Sequence, residues 1–153
     1  MTDSTQSVTT WSARLPSCES LSARALELFA QGSDCEEAVV RAFNEFLELG
    51  LTTEPQPKRR GGLGAGTSVC GSLLGATSVI VASSDEDDLG TANRTLELMA
   101  GFREKYGSVS CQFLTRHMKW GDNHTFCVGY VRSAVEGLHQ IMTERLAAGK
   151  PGV

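Results

Sequence analysis

Five cysteines, at positions 18, 35, 70, 111 and 127 of the 153 residues, are the side chains best suited to chemistry. No two of them form a CxxC pair, which excludes a thioredoxin-like motif and the common zinc-finger spacings. The chain does not open on a basic segment followed by an apolar one, so we expect a cytoplasmic protein. Cytoplasmic cysteines rarely form structural disulfides, and five of them therefore suggest a metal site, catalysis or redox chemistry.

Four of these cysteines follow a helix-capping residue by two or three positions. This spacing predicts that each sulfur lies in the first turn of a helix, where the positive end of the helix favours a thiolate. Each cysteine is also on the apolar stripe of its helix, so all four could converge inside a bundle. The alternative is that each is a buried, chemically inert residue, since free cysteine often behaves as a small hydrophobe. The four pairs are Ser33 and Cys35, Ser68 and Cys70, Ser108 and Cys111, and Thr125 and Cys127.

Apolar residues recur at helical spacing along most of the chain, and no segment alternates as a strand would. The pattern predicts an all-α fold, a compact bundle of about six helices. Ser33 and Glu36 form a capping box for the second helix, and Thr67 or Ser68 is the predicted cap of the third. We expect a flexible arm over residues 1–16, a single helical redox domain over 17–149 and a short tail over 150–153.

The stretch RRGGLGAGTSVCGSLLGA, residues 59–76, is rich in glycine around Cys70. It lacks both the GxGxxG register of dinucleotide-binding folds and the Gly-Lys-Ser/Thr ending of a P-loop. Gly71 and Gly75 belong instead to a helix face that is nearly free of side chains, and each costs about 1 kcal/mol relative to alanine. We therefore expect a neighbouring backbone or a cofactor to approach this face closely.

The cysteine pattern resembles that of the redox-active proteins named C-GCAxxG-C-C. The four matching blocks are SDCEEAVVRAF, GGLGAGTSVCGSLLGA, FREKYGSVSCQFL and FCVGYVRSAVEGL, which together cover roughly residues 33–140 in the order of the family. One departure concerns Cys70, because the family name has alanine directly after the cysteine and glycine three positions later. Here Gly71 follows the cysteine, and the second glycine is Gly75.

The resemblance implies an α-helical redox protein. By position, Cys35, Cys70, Cys111 and Cys127 would be the ligands of an iron–sulfur cluster, and Cys18 would lie outside the site. A [2Fe–2S] cluster is implied by the related region of split-Soret cytochrome. The chain has no C-x-x-C-H sequence for attachment of a c-type haem. The protein that would exchange electrons with it is not indicated.

Two other chemistries remain open at this point. Two of the cysteines could cycle between dithiol and disulfide, with a third as the resolving thiol. Alternatively, His117 or His124 could join Cys111 and Cys127 in a zinc site. A purely structural or interaction role is the fourth hypothesis, and whether the protein is an enzyme is left open.

Charge and hydropathy restrict the partners. The formal net charge of −4 argues against nucleic acid. The longest apolar stretch, about residues 73–82, is too short and too polar to span a membrane. Apolar helix faces in excess of one bundle, together with the family resemblance, lead us to expect a homodimer.

Overall fold

The computed structural model describes residues 15–48, 50, 69–83, 87–116 and 123–148. Within them the only β structure is an isolated antiparallel bridge between Val69 and Ser110. The predicted all-α bundle of about six helices is confirmed. Most of the predicted arm and the whole tail lie outside the described residues. The helices are α1 (Cys18–Ala30), α2 (Cys35–Leu47), α3 (Gly71–Ala82), α4 (Asp88–Tyr106), α5 (Cys111–Leu114) and α6 (Asn123–Ala148).

The long helix α6 holds the bundle together, since it packs against α1, α2, α3 and α4. The most extensive pairing of two helices is between α2 and α3. Burial of apolar side chains between these elements is the main driving force of the fold. None of the helices within the described ranges has the length and apolar character needed to cross a bilayer. The largest fully buried side chains include Phe43, Leu21, Leu28, Leu73, Ile80, Leu138 and Met142.

The start of α2 differs by one residue from the sequence prediction. Asp34 is the N-cap, and its carboxylate accepts a hydrogen bond of 2.7 Å from the backbone N–H of Glu37. The predicted capping box of Ser33 and Glu36 is therefore wrong. Asp34 caps as well as serine does and adds a negative charge at the positive end of the helix. The Ser33 hydroxyl accepts instead from Arg41 at 3.0 Å.

The starts of α3 and α5 are also shifted from the predicted caps. Cys70 is itself the N-cap of α3, and the predicted caps Thr67 and Ser68 lie outside the described residues. Ser110 rather than Ser108 caps α5, and its hydroxyl accepts from the N–H of Phe113 at 3.4 Å. The backbone pairing of Val69 with Ser110 keeps these two positions extended, and α3 and α5 begin after them.

Helix α6 begins earlier than expected. Its first residue is Asn123, so Thr125 lies inside the helix and cannot be its cap. Cys127, the fifth residue, is in the second turn rather than the first. The predicted placement of this cysteine in a first turn is therefore wrong, whereas Cys35 and Cys111 are the first residues of their helices.

Candidate thiol site

All five cysteines are free thiols. Four of them come to one end of the bundle from four helices: Cys70 is buried, and Cys35, Cys111 and Cys127 are partly buried. Cys18 is at the start of α1, where its sulfur lies 3.9 Å from the hydroxyl oxygen of Ser22.

The sulfur of Cys35 is placed by a glycine of α3. A Cβ atom built on Gly71 would lie 2.5 Å from Cys35 Sγ, so the sulfur occupies the space that a side chain at 71 would need. A Cβ on Gly75 would lie 2.6 Å from the carbonyl oxygen of Glu36 and 3.2 Å from Val39 Cβ. These glycines let the first turn of α2 rest on the backbone of α3, which confirms the close approach predicted for this face. The approaching group is the α2 backbone, together with one of the thiols.

Cys70 and Cys111 are joined through their backbones. Residues 69 and 110 form the antiparallel bridge, and the N–H of Cys70 donates to the carbonyl oxygen of Val109 at 2.7 Å. This short pairing sets the start of α3 beside the start of α5. Each helix then carries a cysteine at or next to its N-cap, and both cysteines face the same region.

The Cys70 sulfur has polar neighbours at the start of its own helix. It lies 2.9 Å from the hydroxyl oxygen of Ser72, which is fully buried. The sulfur makes no capping hydrogen bond that satisfies the usual geometry. Burial raises the pKa of Cys70, and the Ser72 hydroxyl and the N–H groups of Ser72 and Leu73 oppose that increase.

The other three thiols respond to one another as well as to burial. Burial raises the pKa of Cys35 well above its ordinary value, and negative charge on Cys70 and Cys127 raises it further. Burial and then Cys70 raise the pKa of Cys111 to about 11, against a small opposing effect of the Thr115 hydroxyl. Burial, Cys70 and Cys111 raise the pKa of Cys127 to about 12. The four sulfurs are thus within electrostatic range of each other.

These pKa values correct one expectation. Position at a helix start was expected to favour thiolates, but burial and mutual repulsion outweigh the helix terminus in this site. At neutral pH and without a bound cation, the thiols are therefore protonated.

Tyr130, on α6, borders the thiols on one side. Its pKa is raised by burial and then by the charges of Cys127 and Cys70, and its hydroxyl donates to the Leu114 carbonyl oxygen at 2.8 Å. Its ring meets that of Tyr106 edge to face, with centroids 4.9 Å apart. Tyr130 was missed in the sequence, although its position three residues after Cys127 puts both on one helix face. Ser72 was missed because only the true start of α3 brings it to Cys70.

The described side chains do not form a ready-made metal site. In the part of the chain that the structure describes, no three His, Cys, Asp or Glu side chains are grouped closely enough to hold a metal ion as they stand. His117 lies outside that part, and only the backbone position of His124 in α6 is described. The zinc site proposed for these histidines stays a prediction.

The fold and the site define a class: an α-helical protein in which four cysteines from four helices gather at one end. Residues 33–141 match the family model described as "Putative redox-active protein (C_GCAxxG_C_C)". The match covers more than half of the chain, includes all four gathered cysteines and leaves Cys18 outside. The chain therefore belongs to this family of redox-active proteins. No curated protein matches it, and no solved structure does.

Proposed function

We propose that this redox-active protein carries electrons and that Cys35, Cys70, Cys111 and Cys127 bind an iron–sulfur cluster of the [2Fe–2S] type. The observation that carries the proposal is the closeness of the four cysteines, whose charges raise the pKa of neighbouring thiols in addition to the larger effect of burial. Four thiolates so close together repel one another, and metal cations between them would offset that repulsion.

The donor set fits such a cluster. Thiolates are the preferred ligands of iron–sulfur centres, and four cysteines complete the coordination of two irons. When bound, the cluster supplies a one-electron couple, exchanged with donor and acceptor proteins. The chain's own part is to hold three sulfurs at helix starts and that of Cys127 in the second turn of α6, and to shield them with α3 and α6. Because no three donors among the described residues already surround a single point, binding must draw the side chains inward.

The same observation disfavours the dithiol mechanism. Thiol–disulfide exchange needs a thiolate nucleophile, and active cysteines of that class have a lowered pKa. Here Cys111 and Cys127 have pKa values of about 11 and 12, so almost no thiolate is present at neutral pH. A dithiol protein with this site would react slowly.

The test is purification without oxygen, followed by a visible absorption spectrum and iron and sulfide assays on one sample. We expect charge-transfer bands and two irons and two sulfides per chain. Serine replacement of any of the four proposed ligands should remove the bands. Cys18→Ser is the matched control and should leave the spectrum unchanged.

A colourless protein without iron or sulfide would contradict the proposal. Reversible formation of one specific disulfide in that protein would identify the dithiol mechanism instead. Zinc that survives dialysis without visible absorption would identify a zinc site. Cytoplasmic location, the homodimer and the electron partners stay predictions.

A further inference from the structure

The hydroxyl of Ser72 lies between two hydrogen-bonding partners on different elements. It is 2.9 Å from Cys70 Sγ, at the start of α3, and 3.4 Å from the backbone carbonyl oxygen of Tyr130, on α6. The whole residue is buried, with no exposed surface. A buried hydroxyl needs a partner within the protein, and among the described residues its single proton has these two acceptors.

The protonation state of the Cys70 thiol decides whether the Ser72 proton goes to Cys70 Sγ or to Tyr130 O. A protonated thiol can donate to the Ser72 oxygen, which leaves the Ser72 proton free to bind Tyr130 O. A sulfur that has lost its proton can only accept, and a charged acceptor binds a donor more strongly than a neutral carbonyl does. The Ser72 hydroxyl would then rotate towards sulfur and leave the carbonyl.

We propose that Ser72 is a hydrogen-bond relay that couples metal binding at Cys70 to the backbone of α6 at Tyr130. In the metal-free protein Ser72 donates to Tyr130 O. When a metal ion takes the Cys70 sulfur, the thiol proton leaves to solvent, the metal–sulfur bond forms, and Ser72 rotates with its own proton to donate to sulfur. The relay rests on the proposed function, since it requires Cys70 to be a metal ligand.

The position of Tyr130 indicates which part of the fold the relay would affect. The residue that loses a hydrogen bond on α6 is also the residue whose ring borders the thiols and contacts Tyr106. The Tyr106 hydroxyl bonds Ser133 at 2.6 Å, one turn further along α6. Metal binding at the thiol site would thereby alter the contacts on the face of α6 that packs against α4.

The sequence permits a direct measurement, because Tyr130–Val131 is the only Tyr-Val peptide in the chain. Labelling with carbonyl-¹³C tyrosine and ¹⁵N valine gives one cross-peak in an HNCO spectrum, and its carbon shift reports the Tyr130 carbonyl. Cd²⁺ is the probe, because it is diamagnetic and its thiolate bonds absorb in the ultraviolet. The spectra compare the reduced full-length chain before and after Cd²⁺.

In the wild type we expect Cd²⁺ to move the Tyr130 carbonyl signal to lower chemical shift, because the carbonyl loses a hydrogen bond. Ser72→Ala should show the lower shift without metal and should not move when Cd²⁺ binds. Ser78→Ala is the control, since the Ser78 hydroxyl bonds the Leu74 carbonyl oxygen of the same helix at 3.2 Å. It should behave as the wild type does.

Two results would overturn the relay, and they are distinguishable from failure of the proposed function. Cd²⁺ that binds, as its absorption shows, without moving the wild-type carbonyl signal contradicts the relay alone. The same holds if Ser72→Ala responds to Cd²⁺ as fully as the wild type. A wild type that binds no Cd²⁺ contradicts the proposed metal site and the relay with it. The wild-type result decides the matter even if Ser72→Ala does not fold.

Discussion

Replacement of Gly75 by alanine tests how closely α2 and α3 approach. The new Cβ would lie 2.6 Å from the carbonyl oxygen of Glu36 and 3.2 Å from Val39 Cβ. The oxygen belongs to the backbone of a packed helix, so α2 must move as a whole by several tenths of an ångström. Overpacking of this kind costs about 3 kcal/mol at its upper end. Alanine returns about 1 kcal/mol of helix propensity, so we expect a net loss of about 2 kcal/mol.

Two further glycines provide matched controls for the same substitution. At Gly101, in α4, an added Cβ meets no atom within 4 Å, so alanine should stabilise the protein by about 1 kcal/mol. At Gly71 the obstacle is the Cys35 sulfur, the end of a side chain that can rotate. Gly71→Ala should therefore keep or slightly raise stability while it displaces one proposed ligand.

The assay is urea unfolding of the reduced, metal-free protein, followed by circular dichroism at 25 °C. Free energies of unfolding should rank Gly101→Ala above the wild type and Gly75→Ala well below it. The visible spectrum of the iron-loaded protein should be altered in Gly71→Ala and unchanged in Gly101→Ala. If Gly75→Ala were as stable as Gly101→Ala, the close packing of α2 on α3 would be refuted.

Three other outcomes are expected. Phe43→Ala, at a fully buried site, should lower the unfolding free energy by about 3–5 kcal/mol, whereas Phe46→Ala, at a side chain 40% exposed, should cost about 1 kcal/mol in the same urea assay. Folding raises the pKa of Cys111 to about 11 and of Cys127 to about 12, so these thiols ionise at lower pH in the unfolded chain than in the folded one. The free energy of unfolding of the metal-free protein should therefore fall as pH rises above about 9. Urea titrations at a series of pH values measure this dependence, and replacing both cysteines by serine should weaken it. Removal of bound iron by a chelator under air should lower the melting temperature, because a metal that binds only the folded chain stabilises it.

The helices were predictable because their signals are local. Apolar spacing identified the buried stripe of α6, including Val131 and Leu138, and glycines marked the face on which α2 rests. Helical spacing does not settle burial where tertiary contacts decide. Phe46 is 40% exposed although it is in register with the buried Ala42 and Phe43, and Leu96 is 65% exposed although it is in register with the partly buried Met99. Helical periodicity predicts which face of a helix is apolar but not how much of that face the neighbouring helices bury.

The thiol site was only partly predictable. Spacing named the four cysteines that the structure gathers, and their role as ligands stays a prediction. It did not reveal that burial would raise their pKa values, because desolvation depends on which helices surround each sulfur. Nor could it find the pairing of Val69 with Ser110, or the contact of the Ser72 hydroxyl with the Tyr130 carbonyl oxygen, since these pairs are about 40 and 58 positions apart in the sequence.

The distribution of the cysteines over four helices has a consequence for biosynthesis. The ribosome releases Cys35, Cys70 and Cys111 before Cys127, and Cys127 arrives on the helix that packs against α1, α2, α3 and α4. A nascent chain that lacks α6 has neither the fourth sulfur nor the core around the other three. Loading of the proposed cluster would therefore follow translation, which requires that the four thiols stay reduced until α6 has docked.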